Sequence, residues 1–256
     1  MLVSEHLIDR YLKHPLIGKA FSFLEGDLET QTTIRMANVM AVKRMGYNDH
    51  GAVHSRIVSG SAMLIFDLLK GHVTYSSVRD WGADLEDARL ITFLGAYLHD
   101  IGNSIHRELH HVHGCYVATP ILDRLLPPLY RDEVKARMVK QEVLQAIFSH
   151  DEGIMCLSRE AGIVKVADGT DMAKGRARIP YTLGKVDIHS LSALSITKVE
   201  VEKGSDRPVL IKVHMKSTAG VFQIEKVLMK KVESSGISEY VEVVGIERGR
   251  EIKRIH

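Results

Sequence analysis

The segment YLHDIGNSIHRELHHVHG, residues 97–114, places five of the chain's fourteen histidines within fifteen residues, next to Asp100. Imidazole titrates near neutrality and is the commonest protein metal ligand, so this density points to a metal or acid–base site. The same segment sets the local fold. The run LITFLGAYLHD, residues 90–100, reads as a helix, and Ile101-Gly102 then stops it, because glycine is a poor helix residue and a good C-terminal breaker. His99 and Asp100 therefore stand at a helix end. Neighbours on a helix point about 100° apart, but at a frayed end both can turn to one ion.

Outward from this segment, the first 187 residues keep a helical texture. In AVHSRIVSGSAMLIFDLLK, residues 52–70, Val53, Ile57, Val58, Met63, Ile65, Phe66 and Leu69 recur at three-to-four spacing. Further helices are expected over 28–45, 86–99, 111–126, 133–149 and 159–173, separated by breaks such as RMGYNDHG and LLPPLY. After Ser190 the texture changes to short alternating β-branched runs, ALSITKVEVEKG and PVLIKVHMKS, with GSDRP as a turn between them. TAGVFQIEKVLMKKVESSG then reads as an amphipathic helix and SEYVEVVGIE as a strand. The expected architecture is mainly α: a helical body over residues 1–189 and a small ββαβ subdomain over 190–256. No long linker separates them, so the appendix is expected to pack on the body or on a partner chain.

Composition narrows the classes of function. The chain has 256 residues, 45% of them hydrophobic, enough for a core that can bury a site. Its 34 basic and 32 acidic residues nearly cancel, so net charge gives no argument for a nucleic-acid or membrane partner. Cys115 and Cys156 form no CxxC pair, which argues against a disulfide framework or a thiolate zinc site. Charges interrupt the opening MLVSEHLIDRYLKHP, and no run of about 20 apolar residues occurs, so a soluble, cytoplasmic protein is expected.

Further metal ligands must come from distant helices, as in other bundle-core sites. His54 in GAVHSRIV, His150 in LQAIFSHDEG and Asp168 in GIVKVADGTD are each polar within an apolar context. Burying a carboxylate such as Asp168 without a partner costs several kcal/mol, and a nearby cation resolves that cost.

The order His54, then His99-Asp100, then Asp168 in an Ala-Asp pair resembles the H…HD…D signature of the HD superfamily of metal-dependent phosphohydrolases. HDIG is a common form of its central doublet. VADGTDMAKGRAR, residues 166–178, is similar to the closing segment of the HD domain in ribonuclease Y. The resemblance spans roughly residues 48–180 and implies a helical HD-domain bundle. It further implies that His54, His99, Asp100 and Asp168 form the catalytic set and primary metal ligands, with His113 and His150 holding a second ion bridged by Asp100. The implied cofactor is a divalent metal, manganese, zinc, iron, nickel, cobalt or magnesium, as one or two ions per chain. Several related phosphodiesterases carry lysine after HDIG to hold phosphate, whereas this chain has Asn103. Arg107, Lys174, Arg176 and Arg178 are the cations expected to bind substrate instead.

The other polar residues have plainer readings. His106, His110 and His111 are expected to be solvated or to support ligands from behind, and His189 and His214 to be inert. Asp49, Glu108, Asp151 or Asp171 are candidates to orient ligand imidazoles. His50 is read as a helix-start residue close enough to touch substrate. Alternating Lys and Glu in VLMKKVESSG usually means a solvated helix face.

The resemblance implies a phosphohydrolase acting through metal-activated water on a small phosphorylated substrate such as a nucleotide. Two alternatives stand beside it: a ribonuclease or nuclease of the HD type, and a non-catalytic nucleotide-binding sensor. Near-neutral charge favours a small substrate over a polyanion, and the appendix lacks the aromatic pattern of RNA-stacking sheets. In texture the appendix resembles small ligand-sensing or dimerising modules such as ACT domains, which implies a regulatory role or a homodimer contact.

Overall fold

The computed structural model describes residues 1–172 and 188–256, with side chains from Ser192 in the second segment. The helical body comprises α1 (Pro15–Gly26), α2 (Leu28–Asn38), α3 (Ala52–Leu69), α4 (Ser76–Trp81), α5 (Leu85–Leu98), α6 (His110–Leu125), α7 (Glu133–Ser149) and α8 (Arg159–Thr170). A fold of this kind, helical with a small C-terminal sheet, is the one the sequence texture predicts.

The starts of these helices are written in local chemistry. Pro15 opens α1, where its missing N–H would have had no partner anyway. Asp84 and Asp87 form a reciprocal capping box at α5, and Asp27, Asp132 and Ser158 accept backbone N–H groups at the starts of α2, α7 and α8. The helix expected over 28–45 runs only to Asn38 before passing into a π-helical turn, Val39–Arg44.

The central helix is α3, packed on α5 and α8, and α5 in turn packs on α7. By length and apolarity α3 would pass for a membrane span, yet Val58, Ala62, Met63, Ile65, Phe66 and Leu69 are all buried within the bundle. Their burial accounts for the apolar composition. His54 on the same helix is fully buried as well.

After α9 (Ile188–Ser195) comes a four-stranded sheet of order β1-β2-β3-β4, from β1 (Ile196–Lys203), β2 (Val209–Met215), β3 (Val241–Glu247) and β4 (Arg250–Ile255). β1 and β2 are antiparallel, as the GSDRP turn requires. β2 and β3 are parallel, so their connection must cross over. It does so through α10, which runs as Val221–Gln223, a π-helical turn Ile224–Leu228, and Met229–Glu233.

Two features depart from the expected layout. The appendix is ββαββ, because β4, sequence REIKRI, pairs antiparallel with β3 through a turn at Arg248 and Gly249, both at positive φ. Its charged residues disguise it, as is common for edge strands. The first residues also join the sheet: Val3 N–H donates to the Val199 carbonyl oxygen at 2.9 Å, and Val201 N–H donates to that of Met1 at 2.8 Å. One continuous hydrophobic cluster runs from Val58 and Ile163 in the body to Val199, Ile211 and Leu228 in the appendix.

Candidate metal centre

The doublet stands where α5 ends. His99 keeps helical dihedrals and Asp100 leaves them, before a 3₁₀ turn, Ile101–Ser104, reverses the chain. This turn packs tightly on the start of α6. A Cβ at Gly102 would lie 2.0 Å from the His110 carbonyl oxygen and 2.3 Å from Gly114 N, so only glycine allows the approach. Leu109, at φ +56°, directs the chain into α6 from the left-handed region.

Four side-chain atoms from α3, the end of α5 and α8 converge. His54 Nε2 lies 3.1 Å from His99 Nε2, and 3.3 Å from both Asp100 Oδ2 and Asp168 Oδ1. His99 Nε2 lies 3.5 Å from Asp100 Oδ2 and 3.6 Å from Asp168 Oδ1. A first-row divalent ion with bonds of about 2.0–2.2 Å, at tetrahedral or octahedral angles, separates its ligands by roughly 2.9–3.6 Å. These five separations fall in that range.

The imidazoles are oriented for it. His99 Nδ1 donates to the Ala96 carbonyl oxygen at 2.8 Å, and His54 Nδ1 to Asp171 Oδ2 at 2.7 Å. In a neutral imidazole a proton on Nδ1 leaves Nε2 as a lone pair. Two such lone pairs facing one another 3.1 Å apart repel unless a proton or a metal ion lies between them. Asp171, a candidate orienting carboxylate in the sequence, performs that role for His54.

A second convergence shares Asp100. His110 Nε2 and His150 Nε2 are 3.0 Å apart, and lie 3.5 and 3.7 Å from Asp100 Oδ1. His150 Nδ1 donates to the Ile147 carbonyl oxygen at 2.6 Å, which again turns Nε2 inward. Each oxygen of Asp100 thus faces a different group of imidazoles.

The sequence reading needs correction here. His113, expected beside His150, belongs to none of the converging groups among the described residues, and His110 lies beside His150 and Asp100 instead. The reason is the turn that seats α6 by its first residue and Gly114: His110 is delivered to Asp100, and His113, one residue from Gly114, is rotated about 100° off that contact. His110 is buried, not solvated. His106 is exposed, and His111 pairs with Asp151 at 3.7 Å. His214 bonds Glu200 at 2.6 Å on the sheet, away from this cluster. The side chain of His189 lies outside the described residues.

Electrostatics follow from burial and neighbours. Burial pushes the Asp100 carboxyl up, but the His50 and His99 imidazoles beside it hold it well below the usual carboxylate range. Asp168 is likewise raised by burial and held well below that range by Lys231 and His99. His99 is lowered by burial yet lifted above its ordinary value by Asp100 and Asp168. Burial and the neighbouring His150 bring His110 down to about 2, and burial also lowers His150. Ionised carboxylates and the neutral His110 and His150 are the protonation states a divalent cation requires, whereas His99 has to release a proton to bind one.

The cluster opens onto a cavity of about 490 Å³, bordered by Tyr47, His50, Arg107, Gln223 and Lys231 among others. His50 Nδ1 bonds Asp100 Oδ2. Buried Asn103 donates to Asp100 Oδ1 at 2.8 Å and accepts from Arg107 Nη1 at 3.3 Å. Arg107 borders the cavity. Lys174, Arg176 and Arg178 lie outside the described residues. Lys231 on α10, read in the sequence as part of a solvated face, is mostly buried and pairs with Asp168 at 2.7 Å.

Comparison with known proteins agrees with this geometry. The HD domain family matches residues 52–173. The chain is also 49% identical over 216 residues to an uncharacterized protein of Methanocaldococcus jannaschii, covering 84% of this chain and 83% of that one. No solved structure gives a significant match. The protein belongs to the HD-domain family, whose members are in general metal-dependent phosphohydrolases.

Proposed function

We propose that the protein is a phosphohydrolase that uses one or two divalent ions to cleave a phosphate ester of a small substrate, with a nucleotide the favoured class. The observation that supports it most is the convergence of His54 Nε2 and His99 Nε2, 3.1 Å apart, with Asp100 Oδ2 and Asp168 Oδ1, two carboxyls held well below their usual range. Such a cluster is costly to bury and becomes favourable around a cation.

In this reading His54, His99, Asp100 and Asp168 hold one ion, and His110, His150 and the other oxygen of Asp100 hold a second. Bound there, a divalent cation acidifies water and draws negative charge from a phosphoryl group. The chain's own residues do the rest. Asp171 and the Ala96 and Ile147 carbonyl oxygens fix the imidazole tautomers, and Asn103 steadies the shared carboxylate. Arg107, braced on Asn103, offers its remaining N–H groups to substrate oxygens. The cavity is in the size range of small-ligand pockets, and near-balanced charge gives a long polyanion few phosphate contacts.

Purified full-length protein assayed against nitrophenyl phosphates, a nucleotide panel and a structured RNA tests this. The expected result is turnover of a small phosphoester that stops on chelation, returns with added manganese or cobalt, and is lost in His54→Ala. Degradation of RNA with no small-ester turnover would favour the nuclease reading, and saturable nucleotide binding without turnover the sensor reading.

A further inference from the structure

The C-terminal subdomain forms part of the cavity wall through Gln223, Val227 and Lys231 of α10. Its approach is built into α8. Gly162, Lys165 and Gly169 recur at three- and four-residue spacing and share one helix face. A Cβ at Gly169 would stand 2.8 Å from Leu228 Cδ1 and 3.3 Å from Lys231 Cδ, and one at Gly162 would stand 2.1 Å from the Ser235 carbonyl oxygen. Between them the buried Lys165 ammonium donates to the Ile154 carbonyl oxygen and, at 3.0 Å, to Ser234 Oγ. Thus α10 and the residues after it are held against the helix that carries Asp168.

Lys231 is the product of that docking. Its ammonium donates to Asp168 Oδ2 at 2.7 Å and to the His150 carbonyl oxygen at 3.3 Å. Asp168 turns its other oxygen, Oδ1, to His54 and His99, so Lys231 stands beside the ligand cluster and not within it. An ammonium carries three donors, and the bonds found among the described residues use two. Meanwhile Asn103, at the position of the lysine that holds phosphate in similar enzymes, is committed to Asp100.

We infer that Lys231 is a substrate-contacting residue whose free N–H takes a phosphoryl oxygen, so that the C-terminal subdomain completes the active site. This inference rests on the phosphohydrolase reading. It makes α10 part of the binding site and assigns to a residue 63 positions beyond Asp168 the phosphate contact that Asn103 cannot make.

Calorimetric titration of inorganic phosphate into manganese-loaded full-length protein, with metal content measured in parallel, tests the inference. Lys231→Gln is expected to weaken phosphate binding about tenfold, the scale of one charge-assisted hydrogen bond, without loss of metal. Lys231→Arg should restore binding to within a few-fold, and Lys231→Met, which keeps the packing on Gly169, should behave as Gln does. Wild-type phosphate affinity in both Gln and Met variants would overturn the inference while leaving the phosphohydrolase reading intact. So would loss of metal with unchanged phosphate affinity, which makes Lys231 a support for Asp168 alone. If the metal-loaded wild-type protein binds no phosphate and hydrolyses no ester, both readings fall together.

Discussion

Asn103 donates from one amide nitrogen to both the carbonyl oxygen and Oδ1 of Asp100, at 2.9 and 2.8 Å, and so fixes the carboxylate that faces both groups of imidazoles. Asn103, where the resemblance leads us to expect a phosphate-binding lysine, here braces Asp100.

Removing that brace should loosen the metal. Asn103→Ala is expected to lower affinity for divalent ions about 10–100-fold, the usual cost of losing a supporting hydrogen bond to a ligand, with the fold intact. Competition against a chromophoric chelator measures it. Unchanged affinity would mean that Asp100 is held adequately by its other contacts.

The correction at α6 gives a paired test. His110→Ala should reduce the metal bound from about two ions per chain to about one, whereas His113→Ala should leave the stoichiometry unchanged. Elemental analysis of the two proteins beside wild type decides between them. The reverse pattern would restore the expectation that the resemblance implies and remove His110 from the site.

Why these assignments differ shows what the sequence could and could not carry. His54, the 99–100 doublet and Asp168 stand out because each interrupts an apolar helix, where a polar side chain needs a reason. His110 offers no such contrast. It sits among five histidines, and only the close packing of Gly102 on Gly114 selects it. Lys231 is hidden differently: alternating Lys and Glu read as a solvated face, and nothing local announces the crossover that lays this face on Asp168. The strand β4 is masked by its charges. Local chemistry was legible; contacts made by long-range packing were not.

Metal binding should depend on pH through His99. Without metal its pKa is raised above the ordinary value by Asp100 and Asp168, so a proton occupies the ring until pH rises through that value. The carboxylates are already ionised and His110 is already neutral, so neither contributes a titration in this range. Affinity at the first centre should therefore climb by up to about tenfold per pH unit below the His99 pKa and level off above it. Calorimetry in buffers of different ionisation enthalpy should register release of that proton. A flat affinity from about pH 5 to 8 would contradict the assignment.

Docking of α10 on α8 can be tested by stability. Replacing a helical glycine with alanine ordinarily gains up to about 1 kcal/mol. At Gly162 the added methyl would meet the Ser235 carbonyl oxygen at 2.1 Å, and overpacking against backbone costs about 1–3 kcal/mol. The overlap should win: Gly162→Ala is expected to lower the melting temperature by a few degrees in a thermal scan. A higher melting temperature would mean that the two elements separate without penalty.

The central claim is that the Nε2 atoms of His54 and His99 meet at a bound cation. Anomalous diffraction from crystals grown with manganese tests this most directly, and a peak is expected between those two atoms, Asp100 and Asp168, with a second between Asp100, His110 and His150. Crystals that show manganese elsewhere on the protein, and none between His54 and His99, would contradict the account.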